Sequence, residues 1–293
     1  MSKQASAAVI AAGTLWGIIC IFIRTLSDAG LDSIQIAAVR TVIAAVFFSA
    51  VLAVGDKERL IIKLSDLWIF AGMGIISIVL FNCFYFYTMI HSQASVAVVL
   101  LYTSPVFVTL LSAIFFREKI TPIKIISLIT AFIGCTLVAG IFGSGYKVTP
   151  LILITGLASG LFYAMYTIFG RLALERYDTR TVTAYTFIFA AAGLIPICRI
   201  NKIAALISDK PILIPWCLGI GFICTVIPYF LYTWGLRNLE SGRAAILAAV
   251  EPLVGAVIGM TLFRENHEMF KLIGIAMIIA AIVLLNHDSV RKN

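Results

Sequence analysis

A single carboxylate, Glu251, stands inside an apolar stretch that is long enough to cross a bilayer. The stretch covers residues 244–265 and closes with Arg264-Glu265, so that Glu251 is the carboxylate in its interior, and a proline directly follows Glu251. About nine residues of helix, rising 1.5 Å each, would carry the carboxylate about 13 Å into the membrane. A carboxylate at that depth is costly unless it is protonated, paired or in contact with a water-filled cavity. Glu251 is therefore a candidate for charge recognition or proton coupling, and locking two helices together is the alternative.

Arg40 is a second charged side chain that the sequence places within a span. Its long side chain could reach the interface from about seven residues below the predicted outer end of that span. Along the membrane normal, Arg40 and Glu251 would differ by less than about 10 Å. Three roles are open for Arg40: reaching the interface, pairing with Glu251, and binding a substrate carboxylate.

Two prolines, Pro105 and Pro252, occupy matching places in two apolar stretches. Each removes an intrahelical hydrogen bond, kinks its helix and frees a carbonyl near the membrane centre. We predict that this pair of kinks gates a cavity. Packing kinks inherited by duplication are the alternative.

Aromatic and amide side chains supply candidate contacts to an organic substrate. Trp16, Tyr102 and Tyr163 lie deeper than the span ends, where Trp and Tyr commonly form interfacial belts. Their rings offer stacking and cation–π surfaces. Together with Asn82 and Glu251, they are the predicted substrate-binding residues.

Motifs for catalysis, metals and cofactors are missing from the sequence. The histidines His91, His267 and His287 lie at span ends, and neither a zinc-protease motif nor a phosphate loop occurs. All six cysteines fall inside apolar segments without the spacing of a disulfide framework or a zinc site. We predict that the chain is not an enzyme and uses no catalytic residue, metal or cofactor.

The composition indicates an integral membrane protein, because 61% of the 293 residues are hydrophobic and only 12% are charged. The net charge of +8 resides mainly in short connections, where it orients helices, so nucleic acid is not expected as a partner. Ten apolar segments are long enough to span a bilayer. We predict an all-α fold with ten transmembrane helices, at residues 5–24, 33–54, 66–90, 94–116, 121–141, 149–170, 180–199, 212–236, 242–263 and 267–286.

The chain is a doubled unit. Subtracting 147 superimposes Pro252 on Pro105 and Phe263 on Phe116, and the offset runs without gaps through both halves. We predict a first five-helix repeat at residues 1–146 and a second at 147–293. Because five is odd, the repeats must enter the membrane in opposite directions, which is typical of secondary transporters with a site near the midplane.

The sequence resembles the drug/metabolite transporter superfamily, in particular its EamA-type members with ten helices. The likeness covers almost the whole chain. The residues that carry it are Trp16-Gly17, Arg40, Thr103-Ser104-Pro105, Arg117-Glu118, Glu251-Pro252 and Arg264-Glu265. The resemblance implies export or exchange of small metabolites, often amino acids, through a central cavity. In the second half Tyr163-Ala164 replaces Trp16-Gly17, which is a departure from the pattern.

These observations predict a secondary transporter, an exporter or exchanger of amino acids or related zwitterions and cations, that works by alternating access. Its expected partners are a small-molecule substrate, the lipid bilayer and, as an option, protons as the coupling ion. A multi-pass location in the inner or plasma membrane follows. A non-transporting receptor or scaffold is the alternative, and a membrane enzyme comes third.

Both termini are predicted to be cytoplasmic, because this orientation puts fourteen Lys and Arg inside and seven outside. Lys57 and Lys202 should then face opposite sides of the membrane. Cysteine labelling from either side, or reporter fusions at both positions, measures this. Finding both positions on one side would contradict the inverted repeat.

Overall fold

A computed structural model describes residues 2–55, 61–92, 94–140, 149–263 and 269–291, and all regular structure in them is helical. In the first half the helices are α1 (Ser2–Gly17), α2 (Ile19–Asp28), α3 (Ser33–Gly55), a 3-10 turn (Leu64–Asp66), α4 (Leu67–Ala71), a π-helical segment (Gly72–Val79), α5 (Leu80–His91), α6 (Ala94–Leu101), α7 (Ser104–Phe116) and α8 (Pro122–Val138).

The second half repeats this order with small differences. Its helices are α9 (Pro150–Leu174), α10 (Thr179–Leu194), α11 (Ile200–Asp209), α12 (Leu213–Gly221), a π-helical segment (Phe222–Val226), α13 (Ile227–Asn238), α14 (Ser241–Ala248), α15 (Val250–Thr261) and α16 (Met269–Arg291).

Seven continuous helical stretches in the described residues are long and apolar enough to cross a membrane. Two shorter apolar helices, α8 and the apolar part of α16, follow the fifth and tenth predicted spans. The helix α10 follows the seventh prediction and ends at Leu194, five residues before its predicted end at Arg199. Each predicted span therefore contains helix, whereas seven of them satisfy the length and hydropathy that crossing requires.

Threonine followed by proline begins two of the helices. The Thr121 side chain accepts a hydrogen bond from the backbone N–H of Lys124, and the Thr149 side chain accepts one from Ile152. The proline at the next position has no N–H that needs a partner and a backbone angle suited to a first turn. These local signals fix where α8 and α9 start.

The connection predicted at residues 200–211 contains a helix of its own. α11 is amphipathic: its buried Ile203 packs in a cluster that includes Leu26 and Leu31, while Asn201 and Lys202 are exposed. Such a helix suits the membrane surface. Its ten residues are too few to span a membrane, so the length of apolar segments in the sequence did not predict this helix.

The predicted kinks at Pro105 and Pro252 coincide with interruptions of two residues and one residue in otherwise continuous helical stretches. α6 ends at Leu101 and α7 starts at Ser104, while α14 ends at Ala248 and α15 starts at Val250. Each proline lies in the first turn of the following helix, where its missing N–H is tolerated. The interruption separates each apolar stretch into two short helices.

Glycines on the first helix of each half pack directly on these breaks. A Cβ atom placed on Gly13 would lie 2.9 Å from the Ala248 carbonyl oxygen, and one on Gly160 would lie 3.2 Å from that of Leu101. These carbonyls are the ones that Pro252 and Pro105 leave without an intrahelical donor. Because Gly13 and Gly160 differ by 147, as Leu101 and Ala248 do, the same contact is built twice.

The helices of the two halves interlock in matching pairs. α1 packs against α13 and α15, and α9 packs in the same way against α5 and α7. α3 packs on α10, and α8 packs on α16. Phe70, Phe187 and Leu236, which are among the largest fully buried side chains, lie in one hydrophobic cluster. On α8 and α16 many apolar side chains face outward, for example Ile129 and Ile279, as expected of surfaces that contact lipid.

Glu118, part of the repeated Arg-Glu pair, joins the first half to the second. Its two carboxylate oxygens accept hydrogen bonds from the backbone N–H groups of Ser241 (2.7 Å) and Gly242 (3.2 Å), at the start of α14. An anion is favoured at a helix N-terminus. Lys124 adds ion pairs to Glu118 at 3.8 Å and to Glu240 at 2.6 Å. The matching pair, Arg264-Glu265, lies outside the described residues.

Replacing Gly160 with Ala should destabilise the fold, because the new methyl group would meet Thr103 and the backbone oxygen of Leu100 at 2.9 Å. Overpacking of this kind costs about 1–3 kcal/mol. The matched control is Gly255→Ala, where the new Cβ atom would meet only the Gly17 oxygen, at an ordinary 3.8 Å. The apparent melting temperature in detergent measures both variants. Equal melting temperatures would contradict the close contact between α9 and the break at Pro105.

Candidate functional site

A cavity of about 450 Å³ lies between the two halves. Arg24, Asp28 and Ser33, at the ends of α2 and α3, line its mouth, and Trp16 and Glu251 lie at its deep end. The mouth is on the side that the charge distribution predicts to be exterior. Cavities of a few hundred Å³ are typical of small-molecule sites.

Arg40 and Glu251 both line this cavity. Arg40 lies on α3 and is 9% exposed, and Glu251 lies partly exposed in the first turn of α15. The Tyr163 hydroxyl donates to Glu251 Oε2 at 3.5 Å. Within the described part of the chain, no ion pair shorter than 4.0 Å joins Arg40 to Glu251. Of the roles left open by the sequence, the structure shows Arg40 at the cavity wall and not in a close pair with Glu251.

The break at Pro252 explains how the glutamate is placed. Because α15 begins at Val250, Glu251 lies at a helix N-terminus rather than in the middle of a long helix. Free backbone N–H groups and the helix dipole favour a negative charge there. A substrate cation can approach the same carboxylate from the cavity. The buried Pro105 occupies the matching place, where Ser104 replaces the glutamate.

Aromatic rings close the deep end of the cavity. The Trp16 ring lies 5.1 Å from that of Tyr229 and 5.4 Å from that of Tyr232, and Tyr163 lies 5.0 Å from Phe81. Apart from Tyr232, these residues line the cavity. Their faces can hold an organic cation or an apolar side chain.

Five of the predicted residues line one cavity: Trp16, Asn82, Tyr163, Arg40 and Glu251. Tyr102 is not among the residues that line it. Tyr102 is 9% exposed and packs against neighbours in the α8–α16 region, outside the cavity lining. The amide nitrogen of Asn82 donates one hydrogen bond, of 2.6 Å, to the Ile78 carbonyl oxygen of its own helix. Its amide oxygen and its second N–H are left for a ligand.

Several lining residues were not among the predicted site residues. Tyr85 and Tyr229 line the cavity, and so do Cys20, Arg24 and Asp28. The repeat carried a usable signal for two of them, since Tyr85 matches Tyr232 and Arg24 matches Arg171 at the offset of 147. Cys20, Arg24 and Asp28 follow one another at intervals of four residues and therefore share one face of α2. That this face borders the cavity is visible only in the structure.

The EamA-like transporter family model matches the chain twice, over residues 4–140 and 150–287. The chain belongs to the EamA-like transporter family. The two matches agree with the doubled helical order described above, and members of this family are membrane transporters rather than enzymes. The predicted superfamily resemblance is thereby confirmed.

Curated relatives of this EamA-family chain are named transporters. An uncharacterized transporter of Archaeoglobus fulgidus is 27% identical over 272 residues, which cover 93% of this chain and 95% of the relative. The uncharacterized inner membrane transporter YicL of Salmonella typhimurium is 24% identical, with 97% and 95% covered. A crystal structure with 16% identity superimposes with a TM-score of 0.78 over 99% of both chains, which shows that the fold is shared.

Replacing Trp16, Tyr163 or Tyr102 with Ala should weaken transport more than it lowers the amount of folded protein. Lost stacking or cation–π contacts of about 0.5–2 kcal/mol would raise the apparent KM about 2- to 30-fold. Tyr102 would act through Glu251, with whose carboxylate its hydroxyl interacts, rather than by direct contact with the substrate. Uptake into proteoliposomes, normalised to folded protein, measures the effect.

Trp68→Ala is the matched control, since Trp68 is 56% exposed and remote from the cavity lining. It should transport like the unmodified protein. Unchanged transport by all three cavity variants would contradict their role in substrate binding.

Proposed function

We propose that this membrane transporter is a secondary transporter that carries a small zwitterionic or cationic metabolite, such as an amino acid, by alternating access. The observation that supports this most is the pair of opposite charges, Arg40 and Glu251, at one cavity without an ion pair between them. A zwitterion supplies a carboxylate for the arginine and an ammonium group for the glutamate. Either charge alone would suit a simpler anion or cation.

The cost of burying charge favours the same substrate class. Two opposite charges that face a water-filled cavity keep part of their hydration, and a zwitterion can replace that water with a matching partner at each end. The ammonium group would be bound by Glu251 at the deep end, between the rings of Trp16 and Tyr163. The substrate carboxylate would accept two parallel hydrogen bonds from the planar guanidinium group of Arg40.

The architecture we propose has ten transmembrane helices in two inverted repeats, at residues 1–146 and 147–293, with both termini in the cytoplasm. The matching helix pairs and matching breaks support it. In this orientation the cavity mouth at Arg24 and Asp28 opens to the exterior. Pro105 and Pro252 would act as gating breaks, because the short helices on either side of each break can tilt separately.

We also propose a proton as the coupling ion, with Glu251 as its carrier. The carboxylate is partly exposed to the cavity, and Ser104 occupies the matching place in the first half. Among the described residues, Glu251 is thus the carboxylate at the deep end, while Asp28 lies at the mouth. Binding of a proton and of a substrate cation at one carboxylate would be mutually exclusive. Such competition would link proton movement to substrate movement.

The test compares charge variants across a matched set of ligands. Arg40→Gln should weaken binding of amino acids about tenfold or more, as expected for a lost charge-assisted hydrogen bond, and should leave the corresponding amines unaffected. Glu251→Gln should weaken amines and amino acids but leave the deaminated acids unaffected. Binding to purified protein and counterflow in proteoliposomes measure both patterns.

Lys202→Gln and Asp209→Asn are the controls, because both residues are exposed and lie outside the cavity lining. For proton coupling, Glu251→Gln should remove the pH dependence of net transport, since the amide cannot titrate. If both cavity variants bind amino acids like the unmodified protein, the zwitterion site is wrong. If Glu251→Gln keeps the unmodified pH profile, this carboxylate is not the proton carrier.

A further inference from the structure

A second, much smaller cavity lies beyond the aromatic rings at the deep end of the large one. It has a volume of about 30 Å³, enough for a water molecule. Trp16, Phe81, Tyr163 and Tyr229 line both cavities and so form the layer between them. On the inner side of this layer, side chains nearly fill the space between the helices, which we call the inner passage.

The two cavities are repeat images of each other. Residues lining the large cavity have counterparts, 147 positions away, that line the small one. The pairs, large cavity first, are Ile19 and Tyr166, Cys20 and Thr167, Asn82 and Tyr229, Tyr85 and Tyr232, Leu101 and Ala248, and Glu251 and Ser104. One passage is thus wide and the equivalent passage is collapsed within a single structure.

The collapsed side is held by a seam of hydrogen bonds between α9 and α13. At its end, Arg171 Nη1 donates to the carbonyl oxygens of Leu236 (3.0 Å) and Leu239 (3.1 Å). A guanidinium at this position supplies donors to carbonyls that the last helical turn leaves without partners, and it complements the helix dipole.

Deeper in the same seam, side chains pair directly. The Thr167 hydroxyl lies 2.8 Å from the Tyr232 hydroxyl, and the Tyr166 hydroxyl lies 2.7 Å from that of Thr233. All four of these residues are buried. The α9–α13 seam therefore excludes water from the inner passage.

On the other side the equivalent helices, α2 and α5, do not pack closely against each other, and the equivalent residues line the open cavity. Arg24 corresponds to Arg171, and Met89 corresponds to Leu236. Arg24 is exposed, and its guanidinium lies over the Phe263 ring at 4.4 Å instead of at the end of a helix. Cys20 and Tyr85, which match Thr167 and Tyr232, are only partly buried.

We propose that Arg24 is the outer gate of the transporter and that Arg171 is its inner counterpart. In the inward-open state, Arg24 donates to the carbonyls of Met89 and Ser92 at the end of α5, as Arg171 now does at the end of α13. Cys20 and Tyr85 meet in the same step. The α9–α13 seam opens as an equivalent seam forms between α2 and α5. Because similar contacts are exchanged, the outward-open and inward-open states differ little in free energy.

This assignment rests on transport by alternating access, but not on the identity of the substrate. Under this assignment, Arg24 and Arg171 have opposite effects on the equilibrium between the outward-open and inward-open states. Purely structural roles would not produce opposite effects. Removing Arg171 should favour the inward-open state, and removing Arg24 should favour the outward-open state. Removing both should restore the balance.

The native thiol of Cys20 reports this equilibrium, because it lines the open cavity and the closed seam would cover it. A membrane-impermeant methanethiosulfonate is applied to right-side-out and to inside-out vesicles, without substrate. Peptide mass spectrometry then gives the modification rate of Cys20 in the full chain. No cysteine has to be replaced.

Arg171→Ala should lower the Cys20 modification rate roughly tenfold or more, since two charge-assisted hydrogen bonds that hold the outward-open state are lost. The double variant with Arg171→Ala and Arg24→Ala should modify Cys20 at a rate within about twofold of that of the unmodified protein. Arg24→Ala alone should not lower the rate. Lys202→Ala, which removes an exposed cation on the same side as Arg24, should have no effect.

Thr167→Val weakens the α9–α13 seam at a different point and should lower the Cys20 rate in the same direction. It serves as the test if Arg171→Ala does not fold. An unchanged rate in the folded seam variants, or a fall caused by Arg24→Ala, would overturn the assignment. Because no substrate is added, a failed zwitterion-binding test would leave this result standing, and the reverse also holds.

Discussion

Every backbone carbonyl that a helix break frees inside a bilayer must find a partner or a protein surface, because lipid offers no hydrogen bonds. This constraint organises the structure around the breaks at Pro105 and Pro252. The freed carbonyls of Leu101 and Ala248 are covered by the first helix of the opposite half, which approaches closely at Gly160 and Gly13. The two halves thus shield each other's breaks.

The scaffold is symmetric, but its chemistry is not. Glu251 faces the cavity where the first half has Ser104, and Arg40 matches Phe187, a buried core residue. Duplication supplies two equivalent passages and two equivalent seams, which is what switching between two similar states requires. The charged site then needs to be built only once, since both passages end at the same aromatic layer.

The balance between the two states depends on interactions of moderate strength. Charge-assisted hydrogen bonds contribute about 1.5–3 kcal/mol each, enough to favour one seam and small enough to be exchanged for the other. A deeply buried ion pair between Arg40 and Glu251 would have worked against this, because it would hold α3 and α15 together and fill the site. Leaving both charges at the cavity wall keeps the site available to substrate.

The sequence by itself determined the helical membrane fold, the duplication and the candidate charges, because long apolar runs, a fixed offset and a lone carboxylate are local or periodic signals. Trp16, Tyr163, Arg40 and Glu251 could be singled out in this way. Only the tertiary structure decided that Tyr102 lies outside the cavity lining and that Arg24 and Cys20 lie within it. It also decided that one passage is open and its equivalent closed. The two halves carry matching residues at Arg24 and Arg171, so no local pattern distinguishes the open seam from the closed one; that difference is a property of how the helices pack.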